Sequence, residues 1–378
     1  MRQLIALGAR LGLRLKAGKG TGQTFGMNKS LADIHTKHND DALKVKCKTM
    51  NKLTSIEICA GAGGQALGLE LAGFEHEAAI EIDKNACATL RLNRPNWNVI
   101  EADLKEISVK NFKGIDLFAG GVPCPPFSIA GKQLGENDER DLFPDALRMI
   151  SECNPKAVLL ENVRGLSSPK FNDYRMRIIQ RLGEMGYEVG WKVLNASDYG
   201  VPQLRPRFIL VALKKRYAKN FFWPGKLESQ ITVSDAISDL MFADGWRGGK
   251  RWVELANRIA PTIVGGSKKH GGADLGPGRA KEKWREMGVD GRGIADAPPG
   301  ADLSPLHMPR LTLHMAARIQ GFPDFWKFAG KKTATYRQIG NAFPPPVASA
   351  IGTSIQNAIH GIKISTDQNE QSELFTLI

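Results

Sequence analysis

Between Ser55 and Asp83 the chain runs apolar strand, glycine-rich turn, helix, strand and acid, an order that few folds accept. Residues 55–59 read as a strand and Ala60-Gly61-Ala62-Gly63-Gly64 as a tight turn. Residues 65–72 follow with helical spacing, and Gly73 stands where a helix takes its left-handed C′ residue. A second strand, 77–82, ends on Glu81-Ile82-Asp83, with Glu81 twenty positions after Gly61. At that spacing a dinucleotide-type fold sets a carboxylate for ribose hydroxyls, while the glycines let backbone approach the ligand.

The alternation continues. A helix is predicted over 84–93, a short strand over 98–101, a strand over 115–118, a helix over 142–153 and a strand over 157–160. Strands over 187–194 and 208–213 return against each other. Helix and strand in turn through 54–215 predict a doubly wound α/β domain, with its chemistry at the carboxyl ends of the strands. Three side chains sit at such ends. Asp103 suits an adenine amino group, or equally a helix cap or turn. Cys124, set among glycines and prolines, suits a nucleophile; a free cysteine is otherwise a small buried hydrophobe. Glu161 beside an apolar wall should hold its proton more tightly than usual, unless it caps a helix or pairs with an arginine. Arg205 and Arg207, two apart in extended chain, face one side and suit an oxyanion or phosphate.

The 378 residues carry a formal charge of +13, as a polyanion-binding protein would. Residues 1–52 hold eleven Lys/Arg against three Asp/Glu, a net +8, so most of the excess lies in a basic extension, 1–51, with weak periodicity. Five cysteines without a CxxC pair, and seven histidines without metal-ligand spacing, argue against disulfides, zinc or a metal mechanism. No run reaches the length of a membrane span, and a cytoplasmic location is expected. Past Pro224 the rhythm is lost. Residues 225–305 are rich in Gly, Lys, Arg and Pro, and the loop 265–272 suits close approach to DNA. Trp246, Trp252, Trp284 and the apolar run 259–264 point to a small folded domain there. Helices are predicted over 314–320 and 347–359, and a polar tail over 363–378.

As a set these residues resemble the DNA (cytosine-5)-methyltransferases. The likeness covers about 53–360 and rests on Glu57-Ile58-Cys59-Ala60-Gly61-Ala62-Gly63-Gly64, Pro123-Cys124, Glu161-Asn162-Val163 and Gln203-x-Arg205-x-Arg207. Arg318-x-Gln320-Gly321-Phe322-Pro323 and Gly340-Asn341-Ala342-x-Pro344 complete it, in the family's order. The resemblance implies a Rossmann-like domain binding S-adenosylmethionine, without a metal, and a smaller target-recognition domain. The implied bounds are 52–224 for the first part of the catalytic domain, 225–309 for target recognition and 310–362 for the return segment.

It implies Cys124, Glu161, Arg205 and Arg207 as catalytic. Ile58, Cys59, Ala60, Gly61, Gly63, Gly64, Glu81, Ile82, Asp103, Leu104, Pro123, Leu142, Asn341 and Ala342 are implied around the cofactor, which would leave as S-adenosylhomocysteine. Ser128, Gln203, Lys268, Lys269, His270 and Arg279 are the expected DNA contacts. The expected partners are double-stranded DNA and a separately acting cognate restriction endonuclease, with the protein a monomer. Glu57 and Cys59 stand where the family has Asp and Phe, which puts adenine stacking in doubt. His314-Met315 replaces a common Arg-Glu, which puts a local salt bridge in doubt. An RNA cytosine-5 methyltransferase of the same fold and a non-catalytic, S-adenosylmethionine-sensing DNA-binding regulator are the rival readings.

Overall fold

The computed structural model describes residues 52–123, 141–266 and 272–362. Cys124, Ser128, Lys268, Lys269 and His270 lie outside the described residues, as do the basic extension and the tail. In chain order the elements are β1 (Leu53–Ile58), α1 (Gly64–Leu71), β2 (Phe74–Glu81), α2 (Lys84–Asn93), β3 (Val99–Glu101), β4 (Leu117–Gly121), α3 (Phe143–Cys153), β5 (Ala157–Val163), α4 (Asn172–Glu184) and β6 (Tyr187–Asn195). They continue with β7 (Gln203–Leu204), β8 (Pro206–Lys214), α5 (Lys215–Ala218), α6 (Val233–Phe242), α7 (Gly249–Leu255), β9 (Ala260–Pro261), α8 (Gly278–Glu286), α9 (Leu313–Ile319), α10 (Lys332–Asn341) and α11 (Pro345–His360).

Seven of the strands form one sheet in the order β3-β2-β1-β4-β5-β8-β6. The first five are parallel, and β8 joins antiparallel to both β5 and β6. Strands β4, β5 and β8 at the middle of the sheet are buried on both faces, and they are near-continuous apolar runs. Side chains alternate between the faces. Leu117, Ala119 and Leu159 pack with Leu69 of α1 and Val347, Ile351 and Ile355 of α11. Phe118, Val158 and Leu160 pack with Met149 and Ile150 of α3 and Ile178 and Leu182 of α4. Pro345 opens α11, where a missing N–H costs nothing. Asp83 caps α2 by accepting the N–H groups of Asn85 and Ala86. Helix α4 was not read from the sequence.

Between Pro224 and α11 the chain leaves the sheet. Trp246, Trp252 and Trp284 are buried in one apolar cluster with Val233, Ile237 and Met241 of α6. Met315 and Ile319 of α9, Tyr336 and Ile339 of α10, and Ala60, Leu67 and Leu90 belong to the same cluster. The doubt over the return segment is answered by other pairs. Arg318 binds Asp324 at 2.6 and 2.7 Å and Asp239 of α6 at 2.6 Å, and His314 meets Asp324 at 2.8 Å. The Arg318 hydrogen bond is the main reason the Asp324 carboxyl is pulled down to about 2. Met315 takes the capping-box position of α9, its Sδ accepting from the Thr312 N–H at 3.4 Å.

Candidate active site

Parallel pairing brings the carboxyl ends of β1, β2, β4 and β5 to one edge. Ile58 lies opposite both Ile80 and Gly120, and Gly121 opposite Glu161. The turn after β1 needs left-handed backbone three times, at Cys59 (φ 49°), Gly61 (54°) and Gly63 (81°). Glycine accepts this freely, whereas Cys59 holds strained backbone.

Two clefts open at this edge and share Cys59, Glu81 and Gly121 in their walls. The first, about 480 Å³, is also lined by Ile82, Asp103, Leu104, Pro123 and Leu142. The second, about 240 Å³, is lined by Glu57, Ala60, Gly61, Gly64 and Gln65 from one end of the chain and Ala334, Arg337, Gln338, Asn341, Ala342 and Phe343 from the other, with Glu161 beside them. Of the residues implied around a cofactor, all but Ile58 and Gly63 line these clefts. Ile58 is instead part of the core beneath, and Gly63 caps α1.

The Glu81 carboxylate accepts the backbone N–H groups of Gly61 (2.7 Å), Ile82 (2.9 Å) and Asp83 (2.8 Å), which fixes it at the junction of the two clefts. Ile82 beside it is 62% exposed, an apolar side chain held open to the larger cleft. Asp103 accepts from the Lys105 N–H at 3.0 Å, a turn contact that leaves it in the cleft wall. Glu57 is 1% exposed, and its Oε2 has no hydrogen-bond partner among the described residues. Burial, reinforced by Glu81, pushes its carboxyl well above the usual carboxylate range. Both polar atoms of Gln65 are likewise buried and unpartnered among the described residues. The sequence reading did not single out Gln65 or Arg337; only position in space unites them with the glycine turn.

Glu161 and Arg207 meet at 2.8 Å, and both are largely buried. Burial raises the Glu161 carboxyl above its ordinary range, against the pull of the Arg207 and Arg205 guanidiniums. Gly121 lies beside it: a Cβ there would meet Glu161 Oε2 at 3.4 Å, an ordinary van der Waals contact. The neighbouring Asn162 donates to the Val122 carbonyl at 2.9 Å and so ties β5 to the backbone just before Pro123.

The two arginines of the 203–207 stretch do not share a surface. Arg205 is 1% exposed and donates to the carbonyls of Ile263 (2.7 Å), Gly340 (2.8 Å) and Ala342 (2.9 Å). The expectation that it grips a substrate anion is therefore corrected: both terminal nitrogens bind backbone carbonyls, and its Nε is buried without a partner among the described residues. Gln203, expected to contact DNA, is fully buried. It accepts from the Ile263 N–H at 3.1 Å and donates to the Ile319 carbonyl and to Gln320 at 2.9 and 2.7 Å. Spacing two apart implies one shared side only in unbroken extended chain, and here Arg205 falls between β7 and β8. Arg279, near the start of α8, is exposed.

The profile of the C-5 cytosine-specific DNA methylases matches residues 53–357. The type II methyltransferase M.NaeI of Lentzea aerocolonigenes is 58% identical over 315 residues, covering 82% of this chain and 76% of its own. The type II methyltransferase M.NgoMIV of Neisseria gonorrhoeae is 54% identical over 312 residues, covering 82% and 98%. Among solved structures, the Entamoeba histolytica methyltransferase EhMeth superposes with a TM-score of 0.58 at 16% identity, over 82% of this chain and 99% of its own, which speaks to the fold.

Proposed function

Because this chain belongs to the C-5 cytosine-specific DNA methylases, and so methylates carbon 5 of cytosine in DNA, we propose that it acts through a covalent Cys124–cytosine intermediate on a base flipped out of a specific duplex sequence. The pairing of Glu161 with Arg207, at the strand edge where the two clefts meet, carries this reading.

Family membership implies S-adenosylmethionine, and the clefts suit it. Glu81 offers a carboxylate to ribose hydroxyls, Asp103 and Ile82 border the space for an adenine, and Asn341 and Ala342 close the other end. When bound, this group supplies an electrophilic methyl on a sulfonium sulfur.

The Cys124 thiolate adds to cytosine carbon 6, and the electrons of the carbon 5–carbon 6 double bond move so that carbon 5 becomes nucleophilic. Glu161, whose carboxyl burial raises against the pull of the two arginines, bonds ring nitrogen 3 as charge develops there. Arg207 holds the Glu161 carboxyl in place and faces the ring carbonyl. Once carbon 5 carries the methyl, loss of its proton to a base expels Cys124 and restores the ring. Flipping costs a few kcal/mol, which contacts to the duplex offset. Residues 225–309 are the target-recognition domain in this reading, with Arg279 among its DNA contacts. The relatives named type II methyltransferases support a place in a restriction–modification pair, beside a separate endonuclease.

The test is to incubate the protein with S-adenosylmethionine and unmethylated plasmid, then to sequence after bisulfite treatment. Protected cytosines in one short context are expected. Protection scattered without context would remove the sequence-specific reading. Cys124→Ser should abolish turnover while still binding duplex; retained methylation would overturn the covalent route.

A further inference from the structure

Among the described residues lining the 240 Å³ cleft, Arg337 is the one cation. It lies on α10 four positions before Asn341, so the two share a helix face one turn apart. The guanidiniums of Arg205 and Arg207 are engaged by carbonyls and by Glu161. No ion pair or hydrogen bond holds the Arg337 guanidinium among the described residues. The carboxylates in the same wall do not claim it either. Glu81 is taken by three backbone N–H groups, Asp83 caps α2, Glu161 is paired with Arg207, and the Oε2 of Glu57 is buried with no bond to Arg337 among the described residues. A half-buried guanidinium without a partner is costly, and a planar carboxylate entering the cleft relieves that cost with two parallel hydrogen bonds.

The two joined clefts differ in character. Asp103, Ile82 and Leu104 give the larger one an apolar floor and an acceptor, which suits a base. Glu81 stands at the junction. A ligand lying across that junction puts its amino-acid end beside Arg337. That end carries the ligand's one anionic group at neutral pH.

We propose that Arg337 receives the α-carboxylate of the methionyl end of S-adenosylmethionine. The inference rests on the reading that these clefts bind S-adenosylmethionine. It assigns a recognition role to a residue outside the catalytic set.

Calorimetric titration of the full chain tests it, with S-adenosylmethionine and its decarboxylated analogue as paired probes. The unaltered protein should prefer the carboxylated ligand by about 10- to 100-fold. Arg337→Ala should lose that preference, binding S-adenosylmethionine more weakly by the same factor and the decarboxylated ligand about equally. Arg337→Lys should fall between them, because it keeps the charge without the planar fork. Equal weakening for both ligands overturns the proposal. So does unchanged cofactor affinity with weaker, less salt-dependent duplex binding, which would give Arg337 to a phosphate. If the alanine variant does not fold, the preference of the unaltered protein and of Arg337→Lys still decides: no preference in the former sinks the idea. Absence of binding by both ligands to the unaltered protein removes the underlying reading of the clefts instead.

Discussion

The sheet and the segment beyond Pro224 are held together by different means. In the sheet, backbone ladders and two apolar faces do the work, and polar side chains collect at one edge. Beyond Pro224, three tryptophans make the core, and side chains from elsewhere fasten the chain. Gln203 and Arg205 hold the N–H and the carbonyl of Ile263, and through Gln320 and Arg205 both reach Ala342. Strand pairing there is short, two residues of β7 against two of β9. A sheet carries its own hydrogen-bond partners; a loop-rich segment must borrow them.

If that contrast is right, the largest effect should come from Arg205→Ala. It strands the buried carbonyls of Ile263 and Gly340, while that of Ala342 keeps Gln320, and we expect a loss of about 3 to 5 kcal/mol in urea unfolding, with Arg205→Lys recovering part. An unchanged midpoint would mean that the clamp holds nothing. Next comes Trp284→Phe. The Trp284 indole N–H is buried with no partner among the described residues, so only volume is lost, at about 2 kcal/mol. A loss near that of Arg205→Ala would imply a polar partner for the indole.

Glu57→Gln sharpens the comparison from the sheet side. Its folded carboxyl titrates above the unfolded one, so ionisation opposes folding increasingly as pH climbs from the ordinary carboxylate value through the raised one. Glutamine removes that burden. The melting temperature should therefore rise more at pH 8 than at pH 5; a gain independent of pH would refute the electrostatic account. The smallest effect is expected at Arg279→Ala, with stability unchanged within about 0.5 kcal/mol. Duplex affinity should fall, and its salt dependence should shallow by about one phosphate contact.

The same contrast explains what the sequence disclosed. Strands β1, β2, β5, β6 and β8 and helix α2 were legible because apolar period and capping chemistry are local. The glycine turn, Glu81 and Glu161 followed, because parallel strands must end at one edge. Helix α4 was missed because Arg, Met, Gln and Asn dilute its apolar face to Ile178 and Leu182. Helices α6, α7 and α8 were missed for a different reason: they are short, and their core partners come from residues 311–342. Gln203 and Arg205 look like surface grips in one dimension. Burial turns them inward, and burial is a property of the whole chain.

The 240 Å³ cleft has one wall from residues 57–65 and the other from 334–343. A chain growing on the ribosome at about 5 to 20 residues per second needs on the order of tens of seconds between the two. Through that interval the glycine turn is already made, but the second wall is not. A chain cut short before Phe343 keeps the residues of the 480 Å³ cleft and of the first wall, and lacks part of the second wall.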